Sequence, residues 1–250
     1  MNTTNMERPV YVVIGATGGI GSKVCEMLAC ESCDLITCSN NDTKLKALSQ
    51  KLNTKSYKLD ASSFTDVDEC IKDVVLKYGR VDGVVNCVGS ILLKPSHLTT
   101  QEDWNKTISL NLTSAFATLR SSAKAMMETG GGSIVLVSSA AALTGLANHE
   151  AIAASKAGVI GLVMSSAATY ARHGIRVNCV APGLVKTPLT KSLTENDAIL
   201  KKSEKMHALG RVGEPGDIAS AILWFLRSQQ SWVTGQVLGV DGGLATIKNR

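Results

Sequence analysis

Val12-Val13-Ile14-Gly15-Ala16-Thr17-Gly18-Gly19-Ile20-Gly21 joins an apolar run to a glycine-rich turn, and that turn to an amphipathic stretch. A short apolar run without polar alternation predicts a strand buried on both faces of a parallel sheet, here Tyr11 to Ile14. The residues beyond it predict a helix from Ile20 to Cys30, with Val24, Met27 and Leu28 on one side. Gly15 allows the tight turn, Gly19 lets the backbone approach a diphosphate, and Gly21 lets the helix pack closely. The positive end of the helix then faces the anion, with Thr17, Gly18 and Ile20 as further candidate contacts. Such a glycine pattern by itself also fits an ordinary packing turn; its place between a buried strand and a helix favours the phosphate reading.

The same period continues along the chain. Strands are expected at Leu35 to Cys38, Ser56 to Leu59, Val81 to Cys87, Ser133 to Val137, Ile175 to Val180 and Gln236 to Val240. Between them fall helices through Leu45 and Leu48, over Phe64 to Tyr78, over Glu102 to Met127 with a bend, over Glu150 to Tyr170 and over Asp217 to Leu226. Alternating strands and helices with right-handed crossovers give an α/β, single-domain Rossmann-like fold: a seven-stranded parallel sheet with helices on both faces. No linker divides residues 1–250. The irregular stretch 184–209 is expected to be a substrate lid.

Composition narrows the function classes. The chain has 250 residues, 44% of them hydrophobic and only 4% aromatic, so Val, Ile, Leu and Ala must fill a core too large for a disulfide- or metal-stapled mini-protein. Its 26 basic and 21 acidic residues leave +5 without any long like-charge block, which argues against a nucleic-acid partner. Seven Cys, an odd number in apolar contexts, suggest free thiols and a cytoplasmic, reducing setting. Cys30-Glu31-Ser32-Cys33 lies at a helix-to-strand turn with Cys25 and Cys38 committed elsewhere, so no metal site is expected. The opening MNTTNMERP lacks an apolar leader, and no stretch suggests the ~18 or more apolar residues of a membrane span.

The end of the second strand selects among dinucleotides, because an acid there would bind the ribose hydroxyls and repel a 2'-phosphate. Here it reads Cys38-Ser39-Asn40, with neither Asp nor Arg. A 2'-phosphate is tolerated rather than held by a dedicated cation; Ser39, Asn40 and Lys44 are its candidate contacts, and the lean is to NADP over NAD. Asp60, beyond the third strand, is placed either to accept from an adenine amino group or to cap the strand end.

Together these residues resemble the short-chain dehydrogenase/reductase family from Val10 to Leu244. Asn86-Cys87-Val88-Gly89 is similar to the family's Asn-Asn-Ala-Gly segment on the adenosine side, and Trp104 and Asn111 sit as in its Trp-to-Asn helix. Ser133-Ile134-Val135-Leu136-Val137-Ser138-Ser139 resembles the serine strand. Val177-Asn178-Cys179-Val180-Ala181-Pro182-Gly183 resembles the segment under the nicotinamide, with Thr187 placed like the threonine that touches its amide. Arg211-Val212-Gly213-Glu214-Pro215, Thr234-Gly235-Gln236 and Val240-Asp241-Gly242-Gly243 match the carboxyl-terminal third. The resemblance implies cofactor contacts from Gly15, Thr17, Gly18, Gly19, Ile20, Gly21, Asn86, Gly89, Lys156, Pro182, Gly183 and Thr187.

The family's catalytic group is Asn, Ser, Tyr and Lys. Asn111, Ser139 and Lys156 stand at three of those places, but four residues before Lys156 stands Ile152. Isoleucine cannot protonate an alkoxide. His149, seven residues before Lys156, is where one enoyl-thioester branch of the family places its tyrosine, so His149 or water is the candidate proton handler; otherwise it caps the helix or touches a partner. The resemblance thus implies an NAD(P)-dependent oxidoreductase acting on a polarised double bond or carbonyl. Alternatives are a non-enzymatic dinucleotide-binding scaffold and a non-redox lyase or isomerase. Lid residues Lys186, Lys191, Lys201, Lys202 and Lys205 suit an anionic small-molecule substrate or simply a solvated surface. The resemblance also implies a homotetramer or homodimer, paired through the helices around Asn111 to Met127 and Glu150 to Tyr170.

Overall fold

Successive side chains of a strand leave for opposite faces, and the first strand shows what this does to an apolar run. Val10, Val12 and Ile14 enter one buried cluster while Tyr11 and Val13 enter another. In the computed structural model, which describes residues 8–248, seven strands form one parallel sheet in the order β3-β2-β1-β4-β5-β6-β7. They are β1 (Val10–Ile14), β2 (Asp34–Ser39), β3 (Lys55–Lys58), β4 (Gly83–Asn86), β5 (Gly132–Val137), β6 (Ile175–Pro182) and β7 (Val237–Val240). Helices α1 (Gly19–Ala29), α2 (Asp42–Leu52) and α9 (Pro215–Leu226) cover the Tyr11 face. On the Val12 face lie α3 (Phe64–Tyr78), α5 (Ser114–Thr129) and α6 (Glu150–Tyr170). The expected fold class is therefore the observed one.

The bend expected between Glu102 and Met127 has a definite cause. α4 (Gln101–Ile108) and α5 are joined by a π-helical turn, Ser109–Thr113, with Asn111 buried inside it. Asn111 Nδ2 donates to the Thr107 carbonyl at 2.9 Å and to Ser90 Oγ at 2.8 Å, while its Oδ1 accepts the Ser90 N–H at 3.1 Å. The side chain supplies partners that the widened turn rearranges and pins the loop after β4 to it.

The 184–209 stretch contains a 3-10 turn at Pro188–Thr190, then α7 (Lys191–Thr194) and α8 (Asp197–Met206), and no strand. One expectation needs correction. Glu150–His173 is long and apolar enough to cross a membrane by length and composition, with mean hydropathy 1.5 over its most apolar window. Its apolarity has a structural use: Val159, Val163 and Ala167 pack in the core, and the same helix carries buried Lys156. The expectation about an amino-terminal leader falls on residues 1–7, outside the described residues.

Strand order reverses between β1 and β4, and the crevice beyond their carboxyl ends is where ligands bind in open α/β sheets. Most candidate site residues are delivered toward that edge by a strand end, the following turn, or the face of α6, and Asn111 by the π-helical turn.

Candidate active site

Three of the four glycines of the first turn leave no room for a Cβ. Gly15 has φ +82°, and a Cβ there would lie 2.9 Å from the backbone of Cys87 and Val88. At Gly21 a Cβ would lie 2.2 Å from the Gly15 carbonyl oxygen, so only glycine lets α1 sit this close to the turn. A Cβ at Gly19 would meet Thr187 at 2.7 Å, which places the expected lid against the diphosphate turn. Gly18 is the N-cap of α1 and no side chain caps it, leaving first-turn N–H groups for an anion. The turn therefore fits a dinucleotide diphosphate.

The adenosine side is more polar. Ser39 is buried beneath the turn and its Oγ lies 2.6 Å from Thr17 Oγ1, whereas Asn40 and Lys44 are exposed. Asp60 Oδ1 accepts from both N and Oγ of Ser62, a capping arrangement that keeps its carboxylate at the exposed rim. Asn86 is occupied structurally: Nδ2 donates to Thr118 Oγ1 at 2.9 Å and Oδ1 accepts the Val88 N–H at 2.8 Å. These bonds fix the start of the 87–89 loop.

Beyond the turn opens a cleft of ≈ 320 Å³. Its polar strip contains Asn111, Ser139, His149 and Lys156, with Ile20, Gly89, Pro182, Gly183 and Thr187 along the cofactor side. Ile152 lines the same cleft and is 5% exposed. Ser139 Oγ accepts the Ala141 N–H at 3.1 Å, which orients the hydroxyl and leaves its proton free to donate. Gly89 is a necessary gap, since a Cβ there would lie 3.0 Å from Asn111 Oδ1 and 3.4 Å from Lys156 Nζ. Lys156 Nζ donates to the Val137 carbonyl at 2.8 Å, and Ser138 Oγ donates to the Lys156 carbonyl at 2.8 Å, locking α6 to the end of β5. Burial pushes the Lys156 ammonium down to about 8. Burial likewise holds the neighbouring thiols protonated, Cys87 up to about 12 and Cys179 up to about 11.

His149 sits at the mouth as the N-cap residue of α6, but its ring does not cap the helix. Its Nδ1 lies 2.7 Å from the Ala147 carbonyl, which can only accept, so Nδ1 carries a proton spent on that bond and Nε2 is the ring nitrogen left for another partner.

The lid differs from its sequence profile. Lys186 pairs with Glu214 at 3.0 Å and Lys191 with Glu195 at 3.5 Å, while Lys201, Lys202 and Lys205 are exposed; none of the five lines the cleft. Leu189, Leu193, Ile199 and Met206 do line it. The signal was the spacing Ile199, Ser203, Met206, one face of a helix. Sequence reasoning also missed the role of His207, buried at 3% exposure. Its Nδ1 lies 2.6 Å from the Ser203 carbonyl and its Nε2 accepts the Leu184 N–H at 3.2 Å, tying α8 to the segment after Gly183. No local pattern in the sequence announces that contact.

A parallel sheet in this order, the glycine cradle at its switch point and a lysine four residues after a cleft-lining position on α6 narrow the field to one lineage. A sequence model described as enoyl-(acyl carrier protein) reductase matches residues 15–245. The chain belongs to the short-chain dehydrogenase/reductase family. It is 35% identical over 248 residues to the 3-oxoacyl-[acyl-carrier-protein] reductase FabG of Thermotoga maritima, spanning 96% of this chain and 98% of that one. It is 32% identical to the 2,5-dichloro-2,5-cyclohexadiene-1,4-diol dehydrogenase of Sphingobium indicum, spanning 98% and 100%. Among solved structures, ElxO with NADP bound superposes with a TM-score of 0.90 at 28% identity, covering 96% of this chain and 100% of that one. Family membership places this short-chain dehydrogenase/reductase in the general class of NAD(P)-dependent oxidoreductases.

Proposed function

We propose that the protein reduces an apolar carbonyl or conjugated enoyl compound with a nicotinamide cofactor, using a site in which Ile152 replaces the family's tyrosine. The observation that carries this reading is the cleft: a polar strip of Ser139, Lys156 and His149 opposite walls made by Ile91, Leu93, Leu146, Leu189, Ile199 and Met206. Apolar walls bind the body of a substrate, and a few convergent donors fix its oxygen. The lid lysines face away from this space, which favours a neutral substrate over the anionic one.

The cofactor supplies a hydride when bound. The first-turn N–H groups of α1 hold its diphosphate, Ser39 and Asn40 meet the adenosine ribose and tolerate a 2'-phosphate, and Pro182, Gly183 and Thr187 frame the nicotinamide side. Lys156 reaches the nicotinamide ribose, and Ser139 donates to the substrate oxygen. Asn111 acts through the loop it pins. The lid 184–209 closes the cleft from above, as its Thr187 contact with Gly19 already supports. Seven free thiols support a reducing, cytoplasmic setting.

Calorimetric titration with NADP⁺, NADPH, NAD⁺ and NADH tests the first half. NADPH oxidation followed at its near-ultraviolet band tests the second, with the uncharged N-acetylcysteamine thioesters of acetoacetate and of a 2-enoic acid and an apolar cyclic enone as probes. Binding of a cofactor and consumption with at least one probe is expected; no binding at millimolar concentration overturns the reading. The burial of Ile152 where a phenol would serve also favours a second reading, a dinucleotide-binding scaffold. Tight NADPH binding with no oxidation by any probe selects it. A tyrosine-to-phenylalanine variant of ElxO is known with NADPH bound. We also expect a homotetramer, or failing that a homodimer, because Phe116, Gly158, Gly161, Leu162 and Tyr170 line a shallow outer groove between α5 and α6. Sedimentation equilibrium giving a monomer mass at micromolar concentration rejects that assembly.

A further inference from the structure

Lys156 is a buried cation without a countercharge. Its side chain is 6% exposed, and among the described residues its one hydrogen bond is to the Val137 carbonyl. An ammonium carries three donors, so two remain for the cleft. Around it the residue after β4 contributes the Cys87 thiol, β6 the Cys179 thiol, the residue after β5 the Ser138 hydroxyl, and the π-helical turn Asn111, whose amide is already committed to Thr107 and Ser90. α6 contributes Ile152 one turn earlier and His149 at the mouth. The two thiols are held neutral by burial, so no anion faces the amine. Gly89 and Lys156 line the same cleft, and a Cβ at Gly89 would lie 3.4 Å from Nζ, so the glycine keeps side-chain bulk away from the amine.

In a tyrosine-bearing site the lysine acts through the phenol placed between it and the substrate. With Ile152 in the wall no hydroxyl intervenes. We propose that Lys156 is itself the proton donor, its Nζ passing a proton directly to the substrate oxygen as that oxygen gains the electron pair released by hydride addition. For a carbonyl, carbon takes the hydride, the C=O π pair becomes an O–H bond, and Lys156 is left as a neutral amine that water reprotonates. For a conjugated enone, the hydride enters at the β carbon, the same proton reaches the enolate oxygen, and the enol tautomerises in water. No co-reactant beyond the hydride source and water is required.

Burial gives this donor a suitable strength. An ordinary lysine near 10.4 holds its proton too firmly to serve well at neutral pH, whereas a group near 8 exchanges it readily. His149 is placed less favourably, because it stands at the mouth of the cleft and its Nδ1 proton is engaged by the Ala147 carbonyl.

The proposal rests on the oxidoreductase reading, and the experiment separates the two. Competitive acetylation of the full-length protein by acetic anhydride, followed by peptide mass spectrometry across pH, reads the amine without requiring turnover. Half-maximal reactivity of Lys156 near pH 8 is expected, and a midpoint shared with the exposed lysines overturns the proposal. With NADPH and the acetoacetyl-thioester and cyclic-enone probes, kcat should fall above the same pH, and the break should persist in His149→Gln. Lys156→Arg keeps a cation for the ribose but cannot release its proton. It should bind NADPH within about fivefold of wild type while kcat falls by about 100-fold or more. Undiminished kcat in Lys156→Arg, or loss of the pH break in His149→Gln, overturns the assignment while leaving the oxidoreductase reading intact. NADPH binding with no probe reduced defeats both.

Discussion

The two ends of the cleft are built from different materials. The diphosphate end is backbone: Gly15, Gly19 and Gly21 matter because each lacks a side chain, and α1 offers N–H groups that every residue except proline possesses. The reacting end is made of side chains: Ser139, His149, Ile152 and Lys156 project from β5 and α6 into an apolar space. A backbone site tolerates little substitution at its glycines, since a Cβ at Gly15 or Gly21 meets main-chain atoms and one at Gly19 meets the Thr187 side chain. A side-chain site can exchange a hydroxyl for a hydrocarbon and still fold. The glycine turn accordingly keeps its sterically required residues, while the other end carries Ile152 where the resemblance implies a tyrosine.

Placing a methyl group in the backbone end should produce the largest effect. Gly21→Ala puts Cβ 2.2 Å from the Gly15 carbonyl oxygen, so α1 must leave its seat on the turn. A loss of roughly 3 kcal/mol or more in urea unfolding is expected, together with loss of cofactor binding. Stability within 1 kcal/mol of wild type would show that the turn can relax. Gly19→Val is the gentler counterpart, because its first contact is the Thr187 side chain on the lid, at 2.7 Å, and not backbone. Cofactor affinity should fall by about tenfold or more with the melting temperature little changed; unchanged affinity means that the diphosphate does not pass over Gly19.

The same division explains what could be read in advance. The glycine turn, the seven strands and α6 were legible because sterics and hydrophobic period act locally along the chain. The bend at Asn111 was legible as a bend but not as a π-helical turn, since its cause includes Ser90, which lies 21 residues away. Lid lysines drew the eye as charges, yet the helix period around Ile199 and Met206 decides which face lines the cleft. His207 was illegible as a fastening: its partners are a carbonyl on its own helix and an N–H 23 residues away, and no sequence pattern encodes that meeting.

That fastening links the two ends and can be cut. His207→Ala removes a ring packed on Gly183 and strands the Leu184 N–H, while keeping every residue of the polar strip. A destabilisation of about 2 kcal/mol is expected from the lost packing and the unpaired donor. Amide hydrogen exchange should quicken at Leu184 and through α8 and stay unchanged in β1 and α1. Equal acceleration in both regions would mean that the lid is not a separately opening unit.

The smallest expected effect has the opposite sign. Below pH 8 the folded chain holds the Lys156 ammonium in a buried place, a penalty absent from the unfolded chain, where the group is ordinary. Between about 8 and about 10.4 the unfolded state binds more protons than the folded one, so Lys156 makes stability rise with pH through that window. Lys156→Met fills the same space without a charge and removes that slope. It should stabilise the fold by about 1–2 kcal/mol at pH 7, the lost hydrogen bond to Val137 offsetting part of the gain, and the advantage should shrink toward zero by about pH 10. Parallel urea titrations at pH 7 and pH 10 measure both numbers. A variant less stable than wild type at pH 7 would mean that the ammonium is satisfied where it lies, and the reacting end would then share the structural indispensability of the glycine turn.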